Sequence, residues 1–299
     1  MFWGEGDTTT CDLPVKFDAE ILKTSIEEQV DFFPMFMHGG SPVPRLVSIQ
    51  TVSRNLGYNS QIGKHVSLKP LYRHPNDEEP PNFEMKPFIA TLLSLVERAT
   101  NCSGLNHVLI QKYRDGKDNI QMHSDKTLDL SRETPIFNLS FGTERVLKIR
   151  RKSNKSDVQL IPLIHGEIVV FGLKTNQYWY HEVPKKLDLT ADPIFGTERI
   201  SFTFRKVETF SVFYDNCETG IIIGQGSPYS SLDTYLFSKM TREADTNSSS
   251  GKSESNELIV LETEKHHNKE ELIKAFSKEN KLSDSFDWHE VYGDGFLCR

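Results

Sequence analysis

The sequence contains no run of about eighteen or more apolar residues, so nothing in it reads as a membrane-spanning helix. Its opening, MFWGEGDTTTCDLP, has no basic stretch followed by an apolar core and does not read as a secretory signal. Cysteine is sparse. Cys11, Cys102, Cys217 and Cys298 lie far apart and form no paired motif, which predicts free thiols, no disulfide-linked partner and a reducing, intracellular compartment. In that setting the sequons at Asn101 and Asn138 carry no meaning. Positive charge is also in deficit. A formal net charge of -7 argues against tight nonspecific nucleic-acid binding by the whole surface, while leaving room for a local basic face. One such run holds Arg145, Lys148, Arg150, Arg151, Lys152 and Lys155, with Lys185 and Lys186 as a smaller cluster. It reads either as a phosphate-facing patch or as a solvated hairpin.

What is present is an ordinary globular composition, 37% hydrophobic and 26% charged, over 299 residues. That length suits one large domain or a domain with an appendage. FDAEILKTSIEEQVDFF reads as a helix capped by Asp18, and a second helix is expected over Lys86 to Arg98, where Phe88, Leu92, Leu95 and Val96 keep the helical period. GGSPVPRLVSIQTV suggests a strand after Pro44, and Asn55 to Lys64 a loop. From Asn106 the period changes. HVLIQKY, PIFNLSF, RVLKIRR, VQLIPL, EIVVFG, QYWYHEV and RISFTFRKV are short, aromatic or β-branched, and divided by turn formers. So many successive strands, with helices gathered toward the N-terminus and no long crossovers, predict a mainly β (α+β) fold: a sandwich-like barrel with helices packed outside. Residues 241–256 have no apolar anchor and read as a flexible linker or loop. Residues 257–299 end in the aromatic FDWHEVYGDGF and are expected to dock on the main domain. No internal repeat is evident.

The chemistry concentrates in NIQMHSDKTLD. His123 and Asp125 are separated by one residue, so on an extended or turning backbone both point to one side and can share a metal. The best third ligand is His181, at the end of QYWYH, with His107 and His165 as competitors. Two imidazoles and one carboxylate on one face, leaving open positions, suit a non-haem Fe(II) oxygenase. Arg199 and Arg205 flank ISFTF at an even separation, so a regular strand presents both on one face with Ser201 and Thr203 between them. Such a face suits a dicarboxylate, because guanidinium groups bind carboxylates through paired hydrogen bonds. Tyr113 adds a hydroxyl from the preceding strand. A solvated strand face with two arginines is the plainer alternative.

The succession VLIQKYRDGKDNIQMHSD, PIFNLSFG, EIVVFG, YHEVP and RISFTFR resembles the AlkB family of dioxygenases, most of all its members that remove alkyl groups from nucleic-acid bases. The likeness covers a core of about residues 43–210 within a domain of 1–240 carrying an N-terminal helical extension. IIIGQGSPY and FDWHEVYGDGF resemble extensions in a fungal subgroup. The resemblance implies a double-stranded β-helix, or jelly-roll, core. It implies iron(II) on His123, Asp125 and His181, and 2-oxoglutarate gripped by Arg199 with help from Tyr113, with Arg205 near Asp125. It further implies O2 as cosubstrate, succinate and CO2 as products, and hydroxylation of an alkyl group on a base nitrogen, which would leave as an aldehyde. The expected partner is alkylated DNA or RNA, and the expected setting is nucleus, cytoplasm or both, as a monomer.

The sequence departs from the family at several positions. Gln111 stands where the family has asparagine, and Ser201 replaces the middle asparagine of the arginine strand. Thr127 stands where the repair members carry a base-reading acid, for which Asp129 is the nearest substitute. His74 matches a base-stacking aromatic position in some members. Tyr72, Arg73 and His74 are candidates for the substrate entrance, and Arg150, Arg151 and Lys152 for phosphate contacts. These departures put the usual methylated-base preference in doubt. An oxygenase acting on a protein side chain or small molecule, a non-catalytic jelly-roll binding protein and a zinc hydrolase remain alternatives.

Overall fold

The computed structural model describes the whole chain except residues 37–39, 74–80, 248–268, 284 and 299. The alternating middle of the sequence folds as two facing sheets. The larger orders β1 (Thr9–Asp12), β12 (Glu167–Phe171), β9 (Ile136–Gly142), β14 (Arg199–Arg205), β7 (His107–Tyr113), β3 (Pro42–Thr51) and β2 (Phe33–Phe36). A short β6 (Asn82–Glu84) runs parallel beside β3. The smaller sheet orders β11 (Val158–Leu163), β10 (Arg145–Arg151), β13 (Trp179–Val183) and β8 (Ile120–His123). From β7 to β14 the chain passes back and forth between the two sheets, with antiparallel neighbours throughout. This is the jelly-roll arrangement expected of a mainly β fold with helices outside.

Period-2 alternation decides which residues face which layer. On β14, Ile200, Phe202 and Phe204 point outward into a core shared with Val108, Ile110, Leu139 and Phe141. Two helices close that core, α1 (Ala19–Gln29) through Leu22 and Ile26, and α2 (Pro87–Thr100) through Ile89, Leu92, Leu93 and Val96. Asp18 caps α1, its carboxylate accepting from the amides of Glu20 and Ile21 at 3.0 Å each. Between the sheets lies a second core that includes Ile136, Leu147, Ile149, Ile161, Phe171 and Trp179. A short α3 (Leu173–Tyr178) links β12 to β13.

A third sheet, β16 (Cys217–Gly224), β15 (Thr209–Tyr214), β5 (Lys64–Pro70) and β4 (Arg54–Asn59), continues from β14. It corrects the loop expected over Asn55 to Lys64. Those residues form the outer strand of a hairpin, the tip and the first residue of β5. Its polar character reflects an edge position, largely exposed, and not a lack of pairing. The Asn59 side chain closes the tip by accepting from the amides of Gln61 and Ile62. Against this sheet lies α4 (Leu232–Asn247), anchored by Leu232. It corrects the start of the expected linker, since residues 241–247 are helical, as the helix-forming Arg242, Glu243 and Ala244 permit. The rest of that linker lies outside the described residues.

At the C-terminus, helix α5 (269–281) and α6 (Trp288–Tyr292) gather Leu272, Phe276, Val291, Tyr292 and Phe296 over Leu128. Arg73 locks this segment down. Fully buried, it pairs with the Asp129 carboxylate at 2.5 Å and donates to the carbonyl oxygens of Gly226, Phe296 and Cys298. Arg73 and Asp129 are therefore not at a substrate entrance. Each takes up the charge of the other in the interior, far from any exchange with solvent. Asp129→Ala would strand the buried guanidinium and is expected to lower stability by about 3–5 kcal/mol in urea unfolding, whereas a loss below about 1 kcal/mol would contradict this role.

Candidate metal and cosubstrate site

The two sheets enclose a cavity of about 490 Å³, a size usual for small-molecule sites. His123 ends β8 and pairs directly with His181 of β13, which brings the two imidazole centroids within 4.2 Å. The chain turns after β8 and carries Asp125 back toward them, with its Oδ1 3.7 Å from Nε2 of each histidine. One donor atom from each of these residues lies within 4.8 Å of the others, and this is the cluster that can hold a metal ion among the described residues. His107 lines the same cavity but joins no such cluster. His165 accepts the Gly142 amide through Nδ1 at 3.0 Å and is structural.

The donor chemistry fits a divalent metal. The His123 Nδ1–H donates to the Gln121 carbonyl at 2.7 Å, which leaves Nε2 as the free lone pair. Asp125 is divided between two tasks. Its Oδ2 accepts from Arg205 Nη2 at 2.6 Å and Nε at 3.1 Å, leaving Oδ1 to face the histidines. Burial pushes the Asp125 carboxyl up, but Arg205 and the two imidazoles outweigh it and hold it well below the usual carboxylate range. Burial, reinforced by His123 and opposed by Asp125, pushes His181 down to about 3, so it is a neutral ligand near pH 7.

Position 125 is held from behind by a residue that sequence reasoning missed. Asn176 of α3 accepts the Asp125 amide at 2.8 Å and donates to its carbonyl at 2.9 Å. The N-terminal segment fixes α3 in turn. The Asp7 carboxylate accepts from the amides of Lys174 and Thr175, and a Cβ at Gly172 would fall 2.0 Å from that carboxyl carbon. Glu5 accepts from Trp179 Nε1 at 2.7 Å and pairs with Arg151. Nothing local to Asn176 marks it, because its partner is 51 residues away.

On the inner face of β14 stand Arg199, Ser201, Thr203 and Arg205, beside Gln111 and Tyr113 of β7 and Asn138 of β9. Arg199 is buried without a carboxylate. Its Nη2 donates to Asn138 Oδ1 at 3.0 Å and Ser140 Oγ at 2.8 Å, while Nε and Nη1 are buried with no partner. Burial pushes its pKa down to about 10, with Tyr113 opposing. A buried guanidinium with two orphaned donors is costly unless an anion completes it, and a 2-oxoglutarate carboxylate fits that need. Asn138 was set aside as a sequon. Its place between Ile136 and Ser140 on one strand face was the signal available, and its amide also donates to Ser201 and Thr203. Gln111 lines the cavity and accepts from the Tyr113 hydroxyl at 3.5 Å.

The expected substrate residues divide. Tyr72 lines the cavity, its ring under Arg205 at 4.7 Å and its hydroxyl accepting the Lys126 amide. His74 lies outside the described residues. Thr127 turns away from the cavity and donates to Glu279 of α5. In the basic run, Arg145 is buried against the carbonyls of Asp115, Asp118 and Pro184, and Lys148 pairs with Glu182. Arg151 is a correction, since Glu5 and Asp157 take up its charge from either side. Arg150 is half-buried, and Lys152 lies over the Tyr180 ring at 5.2 Å, pushed down to about 8 by burial.

Comparison with known proteins places these residues in context. Residues 13–205 match the model of the 2OG-Fe(II) oxygenase superfamily. The chain is 33% identical over 221 residues to the DNA oxidative demethylase ALKBH2 of Bos taurus, covering 69% of this chain and 73% of that protein. Against the protein of that name from Mus musculus it is 30% identical over 210 residues, 66% of this chain and 80% of that one. The alpha-ketoglutarate-dependent dioxygenase alkB homolog 3 of Bos taurus is 34% identical over 135 residues, 42% of this chain and 45% of that one.

Two outcomes follow from the geometry. Asn176→Ala should weaken Mn(II) binding, read by calorimetry, by about 10- to 100-fold with an unchanged circular dichroism spectrum; unaltered affinity would show that Asn176 does not position Asp125. As pH falls through about 6.5, the unfolded chain protonates His181 while the fold resists until about 3. The metal-free protein should therefore lose melting temperature between pH 7.5 and 5, with a shallower slope in His181→Leu.

Proposed function

Because the chain belongs to the 2OG-Fe(II) oxygenase superfamily and is AlkB-like within it, we propose that it hydroxylates an alkyl group on a base of DNA or RNA and so removes that group oxidatively. The observation that carries the oxygenase half is the buried, carboxylate-free Arg199 on the same strand face as Arg205 and beside the His123, Asp125 and His181 cluster. When bound, iron(II) with 2-oxoglutarate and O2 supplies the oxidising power, one oxygen atom going to the alkyl carbon and the other to succinate, with loss of CO2. A hydroxymethyl group on a base nitrogen then breaks its C–N bond and leaves as formaldehyde; the bond pair returns to the nitrogen, and the hydroxyl proton goes to that nitrogen when the alkylated base is neutral and to solvent when it is cationic.

The protein's own residues bind and orient. His123, Asp125 and His181 would hold the metal, three protein ligands being too few to fill its coordination. Arg205 keeps Asp125 ionised and turned so that one oxygen faces the metal. Arg199 grips the distal carboxylate of 2-oxoglutarate, with Asn138 and Ser140 fixing the guanidinium and Tyr113 closing the same end. Gln111, Ser201 and Thr203 complete that polar wall. Tyr72 and Lys126 stand where a substrate meets the metal side, and a base from a single strand would enter without the cost of leaving a duplex. Arg150 and Lys152 remain the basic-run candidates for phosphate. The nucleic-acid half is supported by the relatives named DNA oxidative demethylase.

One observation favours a second reading, in which the same machinery oxidises a protein side chain or small molecule. Much of the basic run is consumed internally, in the Arg145, Lys148 and Arg151 contacts, so little of it is left for a polyanion.

The test uses Fe(II), 2-oxoglutarate and ascorbate. Wild type should release succinate and Asp125→Ala should fall by at least about 100-fold; equal release would reject the metal site. Oligonucleotides carrying single methylated bases should stimulate release and lose the mass of one methylene. Release that no modified DNA or RNA stimulates would reject the nucleic-acid reading and leave the oxygenase standing.

A further inference from the structure

Tyr113 lines the cavity from β7, and Arg199 stands directly across from it in the β14–β7 ladder. The Arg199 guanidinium lies over the Tyr113 ring, 5.2 Å from its centroid, and a second guanidinium, that of Arg145, lies 5.6 Å from the same centroid. Arg145 arrives from the other sheet. The chain leaves β9 at Gly142, where a Cβ would fall 2.3 Å from the Glu198 carbonyl oxygen, and after Thr143 and Glu144 it enters β10 at Arg145. Both arginines and the ring they share are 1% exposed.

Arg145 itself does not line the cavity. Its Nη1 donates to the Asp115 carbonyl at 3.3 Å, and its Nη2 to the carbonyls of Asp118 and Pro184 at 2.9 and 2.6 Å. All three acceptors are neutral, so none cancels the charge. The nearby carboxylates are engaged elsewhere. Asp118 is held by Arg114 at 2.8 and 2.9 Å, and Asp115 accepts from the amides of Lys117 and Asp118. Among the described residues neither Arg145 nor Arg199 has a carboxylate partner. Two buried cations thus share one phenol ring, which attracts each only weakly, and they repel one another. Burial comes first in pushing the Arg199 guanidinium down, Tyr113 opposes it, and Arg145 adds to the burial. A neutral glutamine at position 145 could also donate to carbonyls and would spare the interior a charge.

The geometry points to Arg145 as a specificity-determining residue for the cosubstrate, a second cation that makes the Tyr113 end of the cavity selective for a 2-oxo acid carrying a distal carboxylate. It acts without touching the ligand. Its field adds to that of Arg199 across the Tyr113 ring, and its hold on three carbonyls keeps the charge fixed in place before the ligand arrives. One distal carboxylate then answers two guanidiniums, where Arg199 alone would supply one. The inference rests on the reading of 2-oxoglutarate as the cosubstrate and goes beyond it, assigning selection against monocarboxylates to a residue outside the cavity.

The experiment is calorimetric titration of 2-oxoglutarate and of 2-oxopentanoate, which keeps the 2-oxo acid end and lacks the distal carboxylate, into Mn(II)-loaded wild type and Arg145→Gln without O2. Mn(II) affinity and melting temperature are measured alongside. Arg145→Gln should bind 2-oxoglutarate on the order of tenfold more weakly and 2-oxopentanoate within about twofold of wild type, as one unit charge acting through the interior without contact predicts. Equal losses on both ligands would make Arg145 structural only, and an unchanged preference would leave its charge without effect; either result overturns the inference and leaves the cosubstrate reading intact. A wild type that does not distinguish the two ligands would overturn that reading itself, and the inference with it. If Arg145→Gln does not fold, Arg199→Met carries the test. With Arg145 in place it should still favour 2-oxoglutarate by about threefold or more, and no residual preference would overturn the inference.

Discussion

The Asp125 carboxylate has to serve two masters at once, and the site depends on that division. One oxygen is held by Arg205 at 2.6 Å, and the other faces His123 and His181 at 3.7 Å. Without Arg205, burial would favour the protonated acid, a poor metal ligand. Without the histidines, the pair would be an ordinary buried salt bridge, and such bridges are weak sources of stability. The arrangement makes chemical sense as an anion kept charged for a metal. The same strand extends that logic, because Arg199, six residues before Arg205, is a buried cation that lacks the anion Arg205 already has.

The rest of the fold braces this cluster from both chain ends. Toward the N-terminus, Asp7 fixes α3, α3 presents Asn176, and Asn176 clamps the Asp125 backbone. Toward the C-terminus, Arg73 and Asp129 tie down the final segment, which carries α5 to the Thr127 amide and the Tyr180 hydroxyl, near Asp125 and His181 in sequence. The jelly roll supplies strand pairing that sets His123 opposite His181. These long-range contacts hold Asp125, which lies in a turn and has no ladder to hold it.

What could be read from the sequence was what depends on local geometry. A one-residue gap after a strand places His123 and Asp125 together, and even spacing along ISFTF places Arg199 and Arg205 on one face, whatever the tertiary fold. His181 emerged because it closes the aromatic run QYWYH, although that run is divided between α3 and β13 and His181 is the central residue of β13. Helix α1 was legible from its Asp18 cap. The misreadings came from positions whose surroundings are assembled at long range. Arg73 and Asp129 look like solvent-facing charges near a pocket until the C-terminal segment, more than 220 residues from Arg73, covers them. β4 lacks an apolar face because it is an edge strand, and so it resembled a loop. Asn176 carries no local mark of what it holds, the strand alternation at Asn138 gives its face but not its partner Arg199, and α5 could be expected to dock but not to reach the cavity.

We propose that the buried Arg199 guanidinium, whose Nε and Nη1 have no partner, is completed by the distal carboxylate of 2-oxoglutarate. Calorimetric titration of 2-oxoglutarate into Mn(II)-loaded wild type and Arg199→Met, without O2, tests it most directly. Removing one partner of a buried, hydrogen-bonded charge pair costs about 2–5 kcal/mol, so affinity should fall by at least about 30-fold while Mn(II) binding is retained. Equal affinity in the two proteins would contradict the account.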